Sequence, residues 1–202
     1  MKKIIVLCCI ICLCSCKNDK QILLPRFSKS EIKAMENHSE VYITFVKNHK
    51  DTLAKVNKNG TISSTNWVFN IDRRLPLRLV FPELIALQTK KDKSMHKSEE
   101  TGNYIAYADT LGKNLAFIDF TKFVFKMKKP LNSSQTLIIT KDSICKYQGQ
   151  PITITSFINY RNPTKKLEIL LDSNTTFENF IAVTIALEPK IQQNKEVVFY
   201  CN

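Results

Sequence analysis

The residues in this chain that could do chemistry are three histidines, a set of run-terminating aspartates and seven cysteines. His38, His49 and His96 fall in charged stretches with no second histidine or cysteine at i+2 or i+4, a setting that fits exposed imidazoles better than a metal or acid–base site. Asp72, Asp109 and Asp172 each close an apolar run. A carboxylate in that position either caps the next turn or helix, its usual work, or serves as a catalytic acid or base. Trp67 with Phe69 either stacks on a sugar ring or fills the core side of a strand. The four glycines are isolated, so no phosphate-cradling loop is present, and no Gly-x-Ser-x-Gly elbow occurs. No metal, no cofactor and no recognisable catalytic constellation is implied.

The cysteines are unevenly placed. Cys8, Cys9, Cys12, Cys14 and Cys16 crowd the start, and Cys145 and Cys201 sit in apolar runs far downstream. Met1-Lys2-Lys3 is a short positive segment and Ile4 to Leu13 an unbroken apolar one, the anatomy of a secretory signal. The run stops well short of the roughly 20 apolar residues of a spanning helix when Ser15, Lys17, Asn18, Asp19 and Lys20 arrive. Leu13-Cys14-Ser15-Cys16 resembles the lipobox of bacterial lipoprotein precursors, with Leu at −3, small Ser at −1 and Cys at +1. Moving the acceptor to Cys14 or Cys12 would place bulky Leu13 or Ile11 at −1. The resemblance implies that residues 1–15 are a removed signal peptide and that Cys16 carries two or three acyl chains, palmitate among them. The membrane is then a partner through lipid alone. Each buried methylene contributes about 0.8 kcal/mol, so two chains hold essentially permanently. Lys17 resembles the lipoproteins sent on to the outer membrane more than those retained by an Asp there.

Thirty Lys and Arg against 18 Asp and Glu give a formal net charge of +12, which loss of Lys2 and Lys3 lowers to about +10. A basic surface suits nucleic acid, anionic headgroups or anionic cell-wall polymer. Export removes most of the case for nucleic acid, and the even spread of the lysines also fits a plain solvated surface. With the signal gone, Cys145 and Cys201 are the remaining thiols. They either pair, as an oxidising compartment favours when their strands are adjacent, or stay as two inert buried thiols.

The elements that must position these residues read as α+β: mixed or antiparallel sheets packed with amphipathic helices. Residues 16–39 read as a lipidated tether, 40–130 as one α+β unit and 136–202 as a second. In the first, strands are expected over 41–46, 52–56 and 61–71, a helix beginning at Pro82-Glu83 with Lys90, Lys91 and Lys93 at its negative C-terminal end, then strands over 104–108 and 115–125. In the second, strands over 136–140, 144–147, 167–171 and 196–201 alternate with a short helix capped by Thr153 or Thr155 and a longer one opened by Thr175 and Glu178. Pro189 is expected to end or kink the longer helix. This order, with Ile138 to Ile144, Gln148 to Thr153 and Leu170-Leu171-Asp172, resembles the periplasmic domain of the ExbD/TolR biopolymer-transport family. It departs from that family in having no transmembrane helix with a proton-handling Asp, so an ion-coupled role does not follow. The first unit has a similar β-β-α-β order, with Tyr107-Ala108-Asp109 set against Leu170-Leu171-Asp172. The function expected is that of a lipid-anchored envelope protein with a non-catalytic binding or scaffolding role, its partners other envelope proteins or anionic wall polymer. An envelope hydrolase with an unrecognised carboxylate site is the alternative.

Overall fold

The computed structural model describes residues 21–29, 32–48, 51–57, 60–95, 100–129, 135–142, 144–160 and 166–202. The expected signal, Cys16, His49, His96 and most of the 130–135 seam lie outside them. Two six-stranded mixed sheets are present. The first holds β1 (Arg26–Phe27), β2 (His38–Asn48), β3 (Asp51–Val56), β4 (Asn66–Ile71), β5 (Asn103–Asp109) and β6 (Asn114–Asp119) in the order β1-β5-β4-β2-β3, with β6 also on β5. The second holds β7 (Phe123–Lys126), β8 (Thr136–Ile139), β9 (Cys145–Tyr147), β10 (Gln150–Pro151), β11 (Lys166–Leu171) and β12 (Glu196–Cys201) in the order β10-β9-β8-β11-β12-β7. Helix α1 (Leu77–Asp92) joins β4 to β5, α2 (Ile154–Asn159) precedes β11, and α3 (Phe177–Ala186) with α4 (Glu188–Gln193) joins β11 to β12. The class is α+β, as the sequence indicates.

The same unit occurs twice, as β3-β2-β4-β5 with α1 and as β9-β8-β11-β12 with α3. In each, a hairpin strand runs parallel to the next strand and a helix crosses over to a third parallel strand. Ile43 faces Ile71 across the first pair as Ile139 faces Leu171 across the second. Asp72 N–H then bonds the Ile43 carbonyl at 3.0 Å, and Asp172 N–H the Ile139 carbonyl at 3.3 Å. The counterpart of Asp172 is therefore Asp72, not Asp109. Asp72 ends the strand before the long helix, whereas Asp109 ends the strand after it. Ile85, Ala86 and Leu87 recur as Ile185, Ala186 and Leu187 in the same alignment.

Where the two units meet, their helix starts cap each other. The first amides of a helix have no partner within it. Here Leu77 N–H donates to the Thr175 carbonyl at 2.9 Å and Arg78 N–H to the Ser173 carbonyl at 2.9 Å, while Phe177 N–H donates to the Leu75 carbonyl at 2.8 Å and Glu178 N–H to the Arg73 carbonyl at 3.1 Å. Pro76 and Thr176 form an antiparallel bridge at the centre of this reciprocal set. The arrangement also explains why α1 starts at Leu77 and not at Pro82, which sits inside the helix. Helix α3 adds a local cap, the Thr176 hydroxyl accepting from Asn179 N–H, one residue beyond the expected Thr175.

Beside a small cluster of Val68, Ala106 and Phe117 covered by Leu24, Ile32 and Met35, helix α1 packs against both sheets and α3 over one main core. An aromatic chain crosses it from Phe69 and Phe120 (5.0 Å between rings), through Phe125 and Phe81 (4.9 Å), to Phe180 and Phe199 (5.1 Å). Such pairs are worth about 0.5–1.5 kcal/mol each beyond the area they bury.

Two further expectations change. The apolar 115–125 run is two strands in different sheets, because the chain leaves β6 at Phe120 and crosses to begin β7 beside β12. Residues 23–29 and 32–39 are not free tether: β1 pairs in parallel with the end of β5, Ile32 bridges Phe117, and the Leu23 carbonyl takes Arg73 N–H at 2.8 Å. Their apolar side chains find cover on the first sheet. Pro189 does end α3, and the chain restarts as α4 with that proline in its first turn. Thr153 caps α2 as expected.

Cys145 and Cys201 do not meet the condition for a disulfide. Cys145 pairs with Ile139, Ile139 with Leu171, and Leu171 with Cys201, so the two thiols stand three strand spacings apart in one row. That is about 14 Å, against a bridging limit near 7 Å between Cα atoms. Neither thiol is in a disulfide, and both are buried. Burial, and for Cys201 the nearby Asp172 charge as well, raises both thiols, Cys201 to about 11, so neither is a reactive thiolate at neutral pH. Alkylation in denaturant without reductant, read by mass spectrometry, should modify both cysteines fully; protection of both would mean a bridge and a different strand order.

Candidate functional site

The three aspartates are each occupied by the turn that follows them. Asp72 is almost fully buried. Its Oδ1 accepts from Arg74 Nε at 2.9 Å and Arg74 N–H at 3.1 Å, and its Oδ2 from Arg74 Nη2 at 2.7 Å and Leu23 N–H at 3.3 Å. Burial opposes ionisation, but the bidentate Arg74 contact, the two backbone donors and the Arg74 charge together hold this carboxyl below the ordinary range. Asp172 accepts Asn174 N–H at 2.8 Å. Asp109 accepts Leu111 N–H at 2.9 Å, and a Cβ on Gly112 would stand 2.5 Å from its Oδ2, so a larger residue there would have to push the carboxylate aside. Each carboxylate thus caps the turn that follows it, and Asp72 in addition holds the Arg74 guanidinium and Leu23 N–H.

Trp67 and Phe69 are core residues, buried on the first sheet, with Trp67 Nε1 donating to the Ile62 carbonyl at 2.8 Å. His38 opens β2, half-exposed, with Nε2 3.9 Å from Glu40. Lys91 lies in the last turn of α1, as expected, but it is buried there, donating to the Gly102 carbonyl at 2.8 Å and Asn103 Oδ1 at 3.2 Å, with Trp67 beneath it at 5.3 Å. Its place was legible, since 84, 87 and 91 lie on one face of a 3.6-residue helix.

The feature best shaped to hold a ligand is a cavity of about 430 Å³ between β5 and β6 of the first unit and α3 and α4 of the second. That volume lies in the range of about 300–1,000 Å³ usual for ligand sites. Ile32, Tyr107, Phe117, Phe123, Ile185 and Ile191 give it apolar walls. Its polar groups largely bond one another or the backbone. Lys29 pairs with Glu188, which also accepts from Gln192 at 2.8 Å. Lys122 donates to the Ile191 and Asn194 carbonyls at 2.7 and 3.3 Å, Thr184 to the Phe180 carbonyl at 2.9 Å, and Asp119 accepts Thr121 N–H at 2.8 Å. Among the described residues no histidine or cysteine lines the cavity. Sequence reading missed this site because Lys29, in the N-terminal segment, and Glu188, in the second unit, are 159 positions apart.

Replacing Asp72 with Asn should lower stability at neutral pH by about 1–2 kcal/mol, a figure kept small because Arg74 is partly solvated. A depressed carboxyl contributes stability above its unfolded pKa of about 4 and loses it as pH falls through the folded value. Urea melts of the two proteins should therefore converge in acid; a gap that widens there contradicts the assignment.

No known protein family, no curated protein and no solved structure matches this chain.

Proposed function

We propose that the chain is a lipid-anchored protein of the bacterial envelope, acylated on Cys16 after loss of residues 1–15, whose folded body binds a partner or ligand without turning it over. The observation that supports binding over catalysis most is the cavity between the units, with apolar walls and polar groups largely satisfied by one another. Such a site rewards an apolar or amphipathic group that displaces water and leaves the polar rim in place. The aspartates considered as catalytic carboxylates act as turn caps, which weakens the hydrolase reading further. The lipobox-like tetrapeptide supports the anchor, and Lys17 supports the outer membrane over the inner. The resemblance of residues 136–201 to the ExbD/TolR periplasmic domain favours a scaffolding role among envelope proteins. The hydrolase alternative retains one observation, Asp119 in the cavity wall.

Metabolic labelling with a fatty acid should mark the wild type and not Cys16→Ala; equal labelling would remove the anchor. Crosslinking in native envelopes should capture a partner or ligand that Ile185→Trp, which fills the cavity, no longer captures, while Asp72→Asn, Asp109→Asn, Asp119→Asn and Asp172→Asn still do. Turnover of a cell-wall substrate, lost in one of those four variants with folding intact, would overturn the binding role in favour of the hydrolase.

A further inference from the structure

The parallel strands of both sheets finish at the same end of the molecule. Helix α1 crosses over between β4 and β5 and so runs against them. It also runs against β7, because Phe81 packs on Phe125 while Gln88, two turns later, donates to the Phe123 carbonyl. The Asp72 and Asp172 turns meet at that common end, bridged at Pro76 and Thr176. The chain also joins the body there, at Leu23, beside Asp72 and Arg73.

The charges of the two ends differ. The end that receives the N-terminal segment presents Arg26, Arg74, Arg78, Lys113, Lys128 and Lys141, all exposed. Among the described residues Arg26, Lys113, Lys128 and Lys141 have no acid within ion-pair distance. Of the acids at this end, Asp72 is buried and paired with Arg74, Asp109 is buried and Glu178 is paired with Arg73, which leaves Asp51, Asp142 and Asp172 against Arg26, Arg78, Lys113, Lys128 and Lys141. At the opposite end Lys90, Lys93 and Lys195 alternate with Asp92, Glu100 and Glu196 and the signs balance.

We propose that the basic end lies directly against anionic lipid headgroups of the membrane that holds the Cys16 acyl chains. The proposal rests on the anchor reading above. Because Leu23 is held to the Asp72-Arg73 turn through both its backbone groups, only seven residue steps separate this fixed point from Cys16, a reach of at most about 25 Å even fully extended. A body tied that closely at its basic end keeps that end nearest the headgroups, where each Lys or Arg near an anionic surface strengthens association by about fivefold.

The test uses full-length mature protein on vesicles of phosphatidylcholine, with or without phosphatidylglycerol, and an amine-reactive reagent read by mass spectrometry. Acylated protein should float with both kinds of vesicle. On anionic vesicles Lys113 and Lys141 should react several-fold more slowly than on neutral ones, with Lys90 and Lys93 unchanged, and the protection should vanish in about 1 M salt, where screening falls to about 3 Å. Combined Arg26→Glu, Lys113→Glu and Lys141→Glu should keep flotation and lose protection of Lys128. Equal reactivity of both ends on anionic vesicles, with flotation intact, overturns the proposal and leaves the anchor standing. Failure to float on neutral vesicles removes the anchor instead; binding of unacylated Cys16→Ser protein to anionic vesicles, lost in the triple charge reversal, then upholds the face, and its absence refutes it. Protection by soluble heparin but not by vesicles assigns the face to an anionic polymer and also overturns the lipid assignment.

Discussion

Four backbone hydrogen bonds between the Arg73–Arg78 and Ser173–Glu178 segments carry more of the architecture than any side-chain contact. They satisfy the first amides of α1 and α3 with carbonyls from the opposite unit, which neither helix could do for itself. A helix start buried without such partners would leave costly unpaired donors. Each long helix therefore depends on the other unit being folded. The positions of the partners fix the rest: α1 and α3 leave the junction side by side, Phe81 meets Phe180, and the two sheets close over one main core. The reciprocity is that of an isologous contact, in which a patch meets its own equivalent, here within one chain.

The inter-unit cavity follows from the same constraint. Its walls come from β5 and β6 on one side and α3 and α4 on the other, and the N-terminal segment closes it through Lys29 and the Tyr107 hydroxyl bonded to the Lys29 carbonyl. That segment fills a specific gap. In the second unit β11 and β12 pair along their whole length, and Ser173 N–H ends on the Asn202 carbonyl. In the first, β4 pairs with β5 only from Trp67 to Phe69, and the chain from Leu23 to Phe27 takes up Arg73 N–H and the free edge at Ala108 and Asp109. The departure from the repeat is thus where the N-terminal segment docks.

Local pattern made much of this legible. Alternation in β2 and β11, the β-branched run of β12, the Thr153 cap and the Pro189 break depend on neighbours in sequence, and the structure has each where the sequence indicates. The failures all involve distant partners. Nothing near Leu77 signals a helix start, because its cap is Thr175. Nothing within 115–125 signals a change of sheet, since both halves are apolar and the choice is made by β5 and β12. Asp72 and Asp172 lie 100 positions apart in the same local setting, a repeat that residue identity alone shows at Ile85, Ala86 and Leu87 and little beyond. The cavity residues carried no signal, for an ion pair between Lys29 and Glu188 exists only once the units are joined.

The mutual capping of the two units is tested most directly by native-state hydrogen exchange at single-residue resolution. The amides of Leu77, Arg78, Phe177 and Glu178 should exchange only by global unfolding, with the same protection as core amides of β4 and β11, because opening either turn exposes both helices. Fast exchange at these four amides, or exchange of one unit's core while the other stays protected, would contradict it.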